Sequence, residues 1–148
     1  MKVAVDTNLL VYAEGVNGAE KKKNALEILR ALPRSSVSVP IQVLGELFQV
    51  LVRKAGRTAP QARNAILTWG DAFPLADTTK STILAAGELV ATHRLGFWDA
   101  VILASAVESG CRFLLSEDLQ SGFTWHGVMV TNPFATPRHP LLESLLRG

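Results

Sequence analysis

Asp6 follows the apolar run KVAV, and Asp118 follows the apolar run RFLLS by a few residues. Between them stand Glu46, within IQVLGELFQVLV, and Asp99, within WDAVILASAVES. Taken singly each has an ordinary explanation. An aspartate after a strand is usually a turn or helix-cap residue, and a glutamate on a helix is usually at the surface. Brought together, several carboxylates repel one another, so such a cluster is reasonable chiefly around a bound cation. Oxygen-only ligands favour a hard divalent ion such as Mg²⁺ or Mn²⁺. An ion held this way suits phosphate chemistry, because it neutralises the scissile phosphate, lowers the pKa of a bound water and steadies the leaving oxygen. With Cys111 the single cysteine and His93, His126 and His139 scattered, a zinc site is disfavoured.

Asp99 is the oddest of the acids. At about 100° per residue it shares its side of the helix with Ile102, Leu103 and Ala106, which puts a carboxylate on the apolar face. An unpaired buried charge is costly, so Asp99 needs a cation, hydrogen-bond donors or a water-filled cleft; the bland alternative is a first-turn cap that gains from the helix dipole. Glu46 falls at the margin of its apolar stripe, near Val43 and Val50, where it could face either a cleft or solvent.

The elements that must position these acids alternate. KVAVD reads as a buried strand, TNLLVYAE as a short helix ending near Gly15, and AEKKKNALEILRAL as a helix stopped by Pro33. SVSV is a second strand, and Pro40 then suits the first turn of a helix through IQVLGELFQVLVRK that ends at Gly56. TAPQARNAILTWGDA and TTKSTILAAGELVATHR continue as helices, with FPLAD between them a short strand or an extended link. WDAVILASAVES is a helix closed by Gly110, and RFLLS and GVMV are strands. Strand and helix in alternation argue for an α/β fold with a mainly parallel sheet and helices on both faces. Its ligand site should lie beyond the carboxyl ends of the strands. Asp6, Asp118 and the first turn of the helix bearing Asp99 are all delivered to that edge.

At 148 residues the chain reads as one domain, and its 48% hydrophobic content supports a single core rather than disorder. One cysteine excludes an internal disulfide and fits a reducing compartment. No signal-like or membrane-spanning run is present, so a cytoplasmic protein is expected. The net charge of +2 is mild, but its distribution is uneven. Lys21, Lys22 and Lys23 form one basic cluster, and Arg53, Lys54, Arg57 and Arg63 another. Such clusters can follow a phosphate backbone or be solvated helix ends. We expect Arg53, Lys54 and Arg57 to help hold a nucleic-acid phosphate backbone, whereas Trp98, beside Asp99, is better explained by packing than by base stacking.

The segments AVDTNLLVY, GEL at Glu46, LGFWDAVILASAVESGC and LLSEDLQSG, with the closing VTNPF, resemble the PIN domain, especially the VapC-type toxin ribonucleases. The similarity runs from about Lys2 to Phe134. It implies a three-layer α/β/α sandwich over residues 1–135, with residues 136–148 as a tail that could form a short docking helix. It implies a Mg²⁺- or Mn²⁺-dependent endoribonuclease in which a metal-activated water attacks an RNA phosphodiester and leaves a 5′-phosphate. Asp6 and Asp99 would be the principal metal ligands and Glu46 and Asp118 the secondary ones, with Asn8 and Ser116 supporting the acids. Many members carry a further acid two residues after the one at Asp118; here that residue is Gln120, a neutral amide that would hold a second cation less well. The resemblance also implies a homodimer inhibited by a small antitoxin.

Other readings of the residues are a PIN-fold nuclease of RNA processing without a toxin role and a non-catalytic RNA-binding module. A groove built only for binding should avoid acids beside phosphate, which opposes the last. A haloacid-dehalogenase phosphatase would need an acid where Asn8 stands, and a phospho-receiver domain a late lysine, whereas none follows Lys80.

Overall fold

A computed structural model of the chain describes residues 1–148. Strand β1 (Val3–Val5) is fully buried and leads into α1 (Thr7–Ala13), whose N-cap is Asp6. Helix α2 (Ala19–Ala31) stops ahead of Pro33, and β2 (Val37–Pro40) and α3 (Ile41–Arg53) follow. Pro40 is the last residue of β2 and the N-cap of α3, one position earlier than its expected place in the helix. Helix α4 (Ala59–Ala72) opens with a Thr58–Gln61 capping box and leads to β3 (Leu75–Ala76), so FPLAD contains a strand. Helix α5 (Lys80–Thr92) is capped by Thr79 and α6 (Phe97–Glu108) starts after Gly96. Then come β4 (Phe113–Leu115), β5 (Thr124–Trp125), β6 (Val128–Thr131) and α7 (Pro140–Arg147).

The sheet runs β3-β2-β1-β4-β6-β5 and is parallel except for the β5–β6 hairpin. The chain moves outward from β1 to β2 to β3, then crosses back to β4 on the other side of β1. Right-handed crossovers therefore put α1–α4 on one face and α5–α6 on the other. The packing agrees: α1 lies on α2 and α3, whereas α6 lies on α5 and against β2, β4 and β6. This is the three-layer α/β/α architecture expected from the sequence.

Helix α6 differs from its expected amphipathic form. Every residue from Ala100 to Ala106 is buried, Ser105 among them, so this stretch of the helix is enclosed on all sides, pressed between α5 and the sheet. What distinguishes Asp99 is its place in the first turn, where the helix emerges at the sheet edge. Leu142 of α7 is fully buried in the same core, beside α2. No helix is long and apolar enough to cross a membrane.

Candidate active site

The order of the sheet reverses between β1 and β4, and a crevice forms where crossovers from two neighbouring strands leave on opposite faces. Parallel register pairs Val5 with Leu115, so the next residue on each strand, Asp6 and Ser116, emerge side by side. The Asp6 amide donates to the Leu115 carbonyl at 3.1 Å, and the Ser116 hydroxyl donates to Asp6 Oδ2 at 2.6 Å. Asp6 Oδ1 accepts from the Thr7 amide at 2.7 Å. Asp6 is thus both the cap of α1 and a buried acid at the floor of the crevice, 5% exposed.

The other acids close around it. Glu46, on the second turn of α3, accepts from the Thr7 hydroxyl at 2.6 Å and from Gln42 Nε2 at 3.1 Å. Gln42 Nε2 also reaches the Trp98 carbonyl at 3.0 Å, tying α3 to the start of α6. Asp118, on the segment after β4, accepts from the Asn8 side-chain amide. Asp6, Glu46, Asp99 and Asp118 line one cleft of about 350 Å³, with Thr7, Asn8 and Gln49 beside them. All four acids expected to act together share this space, and Asn8 and Ser116 each hold one of them.

The electrostatics are those of an uncompensated anionic site. Burial pushes the Asp6 carboxyl up to about 6, helped by the charges of Asp99 and Glu46 and opposed by its two hydrogen bonds. Asp99 is raised by burial and by the charges of Glu46 and Asp118. No protein donor reaches the Asp99 carboxylate, and none of the chain's ion pairs involves any of the four acids. A partly buried carboxylate with neither donor nor counter-ion, in a cleft shared with three others, is satisfied by the water of that cleft or by a bound cation.

The donor set fits a hard divalent ion. Each Asp6 oxygen accepts a single hydrogen bond and so keeps a free lone pair. No three acidic, histidine or cysteine side chains converge tightly enough to close a coordination shell unaided. Mg²⁺ does not require that, since it is usually bound through one or two carboxylates and keeps several waters.

The basic residues are less uniform than their clustering suggests. Arg53 and Lys54 are exposed at the end of α3. Arg57 instead turns inward: its guanidinium pairs with the Glu14 carboxylate and donates to the Glu14 carbonyl at 2.8 Å, and Glu14 also accepts from Trp69 Nε1 at 3.0 Å. Its charge is committed to joining α1 to α4, so it differs from the expected phosphate-holding group. Lys21 is likewise engaged, 3.4 Å from Glu117 and over the Tyr12 ring. Trp98 is 58% exposed, against the expectation that it packs in the core.

Sequence reasoning missed Thr7 and Gln42, the donors to Glu46. The signal was present: Thr7 adjoins an acid at a strand end, and Gln42 lies one helical turn before Glu46.

The α/β/α layers with an acid-lined switch point define the class, and sequence similarity defines the family. The family model described as the PIN domain matches residues 3–121, and the chain belongs to that family. Among solved structures, Mycobacterium tuberculosis VapC20, a sarcin–ricin loop cleaving toxin, superposes with a TM-score of 0.67 at 21% identity, covering 79% of this chain and 90% of that one. A toxin–antitoxin complex from Klebsiella pneumoniae gives 0.66 at 19% identity, over 90% of this chain and 98% of that one. FitAcB from Neisseria gonorrhoeae gives 0.65 at 14% identity, over 89% and 98%. Likeness at these identities carries the fold. No curated protein sequence matches the chain.

Proposed function

We propose that the protein is a Mg²⁺- or Mn²⁺-dependent endoribonuclease and the toxin of a toxin–antitoxin pair. The observation that carries the nuclease reading is Asp99, a partly buried carboxylate with no donor and no counter-ion, facing Asp6, Glu46 and Asp118 across one cleft. Asp6 and Asp99 would hold the ion, with Glu46 and Asp118 assisting. When bound, the ion supplies charge neutralisation at the phosphate and a more acidic water.

The chain's own residues do the rest. Ser116 and the Thr7 amide fix both oxygens of Asp6, so its carboxylate cannot rotate away. Thr7 and Gln42 fix Glu46, and Asn8 fixes Asp118. Preorganised acids need no rearrangement as substrate enters, which is the usual source of catalytic advantage in such sites. The exposed Arg53 and Lys54 would follow the RNA backbone on the α3 side of the cleft.

The assemblies named for the structural relatives, VapBC2 of Rickettsia felis bound to promoter DNA among them, support an antitoxin partner and the toxin role. A cationic side chain from such a partner could take the place of the metal among these acids. Cleavage of single-stranded RNA with Mg²⁺ or Mn²⁺, abolished by a chelator and yielding 5′-phosphate ends, is the expected result. Cleavage that persists in excess chelator would sink the metal mechanism.

A further inference from the structure

A cavity of about 340 Å³ opens beside the acid cleft, between the loop joining α5 to α6 and the segment after β4. Asp99 and Asp118 border both spaces, so a group seated in the cavity lies next to the carboxylates. Its volume is at the small end of the range for ligand sites, about 300–1,000 Å³, which suits one planar heterocycle and its sugar. Leu103 and Val130 give it an apolar floor, and the Phe123 ring stands in its wall, held edge-on by His93 with ring centroids 5.0 Å apart. Arg94 and Gln120 sit at the rim, both exposed, and Arg94 takes part in none of the chain's ion pairs.

We propose that this cavity receives the base of one nucleotide adjoining the bond that is cut, an inference that rests on the ribonuclease reading above. Single-stranded RNA is recognised by bases splayed out of the stack, set against aromatic or guanidinium planes and hydrogen-bonded along their edges. Phe123 supplies the aromatic plane. Gln120 supplies an amide with both donor and acceptor, the complement of a base edge. It does so two residues after Asp118, at the end of the acidic segment SEDLQ. Arg94 supplies a free cation for the nucleotide's phosphate.

The test titrates the full chain with AMP, CMP, GMP, UMP and ribose 5-phosphate in Mg²⁺, following backbone amides by NMR. None of these probes contains a phosphodiester, so binding is read independently of cleavage. The expected result is that amides around Arg94–Gly96 and Leu119–Phe123 shift with a base-dependent affinity that ribose 5-phosphate does not reproduce. Phe123→Leu should weaken the preferred nucleotide about tenfold. Gln120→Ala, at an exposed site that leaves the fold intact, should change the ranking of the bases. Equal shifts with ribose 5-phosphate, no shifts in these segments, or a ranking unaltered by Gln120→Ala would each overturn the proposal. Base-dependent shifts in a chain that cuts no RNA would keep the cavity and remove the nuclease reading; cutting without such shifts would do the reverse.

Discussion

The Ser116 hydroxyl donates to Asp6 Oδ2 at 2.6 Å, joining residues 110 positions apart between β1 and β4, where the order of the parallel strands reverses. The bond exists because the β1–β4 register leaves these two residues level with each other as both strands end. It is the main side-chain influence favouring the charged form of a carboxylate that burial drives the other way.

Ser116→Ala should therefore cost about 1.5–3 kcal/mol of stability at pH 8, the worth of a hydrogen bond to a charged group. The Asp6 carboxyl should rise further above about 6. Urea unfolding reads the first effect. An acid limb of the pH–activity profile displaced to higher pH reads the second.

Asp6 also sets a pH dependence of stability in the absence of divalent cation. Its carboxyl titrates near 3.8 when unfolded and at about 6 when folded, so between those values the folded chain holds a proton that the unfolded chain has lost. The contribution is fully present below the lower value and is lost as pH rises through the higher. Asp99 is shifted in the same direction. Asp6→Asn should thus be more stable than wild type in chelator by an amount that grows from pH 4 to pH 7, reaching on the order of 3 kcal/mol. A gap that is constant across this window in urea titrations would contradict the burial argument.

Glu117 neighbours Asp118 and is held by the Tyr12 hydroxyl at 2.7 Å and by Lys21 at 3.4 Å. Tyr12→Phe removes the closer donor while keeping the ring against Phe134. Stability should fall by about 1 kcal/mol. Amide exchange should quicken over residues 116–120, and hydrogen-exchange mass spectrometry would see it.

Arg57 and its neighbours should separate cleanly. Arg57→Ala removes the tie from the α3–α4 connection to Glu14 at the end of α1, leaving only Trp69 of α4 on that carboxylate, and should lower the melting temperature with little effect on RNA affinity. Arg53→Ala with Lys54→Ala should leave stability nearly unchanged and weaken RNA binding, reducing the salt slope by about 0.7 for each RNA phosphate no longer neutralised. Anisotropy titrations at several salt concentrations measure the affinity and its slope, and thermal unfolding measures the stability.

The sequence carried most of this arrangement because the fold is built from short apolar strands punctuated by acids. KVAVD and RFLLS mark β1 and β4 by composition alone, and a parallel sheet then dictates where Asp6 and Asp118 emerge. Strand β5 was illegible because it is two residues long and its turn disguises itself. The hairpin turns through His126 and Gly127, both at positive φ, and a histidine there lacks the usual asparagine or aspartate signal. Asp99 was found by an argument from one apolar face, although α6 is buried on every side from Ala100 to Ala106; its first-turn position was the sound part of the inference. Arg57 misled because clustering along the chain does not reveal a partner 43 residues away. The donors Thr7 and Gln42 required knowing that α1 and α3 pack together.

Asp99 faces the other acids, on this reading, in order to hold a cation for RNA cleavage. The most direct measurement is the cleavage rate of a single-stranded RNA at saturating Mg²⁺, wild type against Asp99→Asn. The change is nearly isosteric and removes an uncompensated charge, so the variant should fold at least as stably as wild type while its rate falls by roughly two orders of magnitude or more. An Asp99→Asn protein that cuts RNA as fast as wild type would contradict the metal-holding role of this carboxylate.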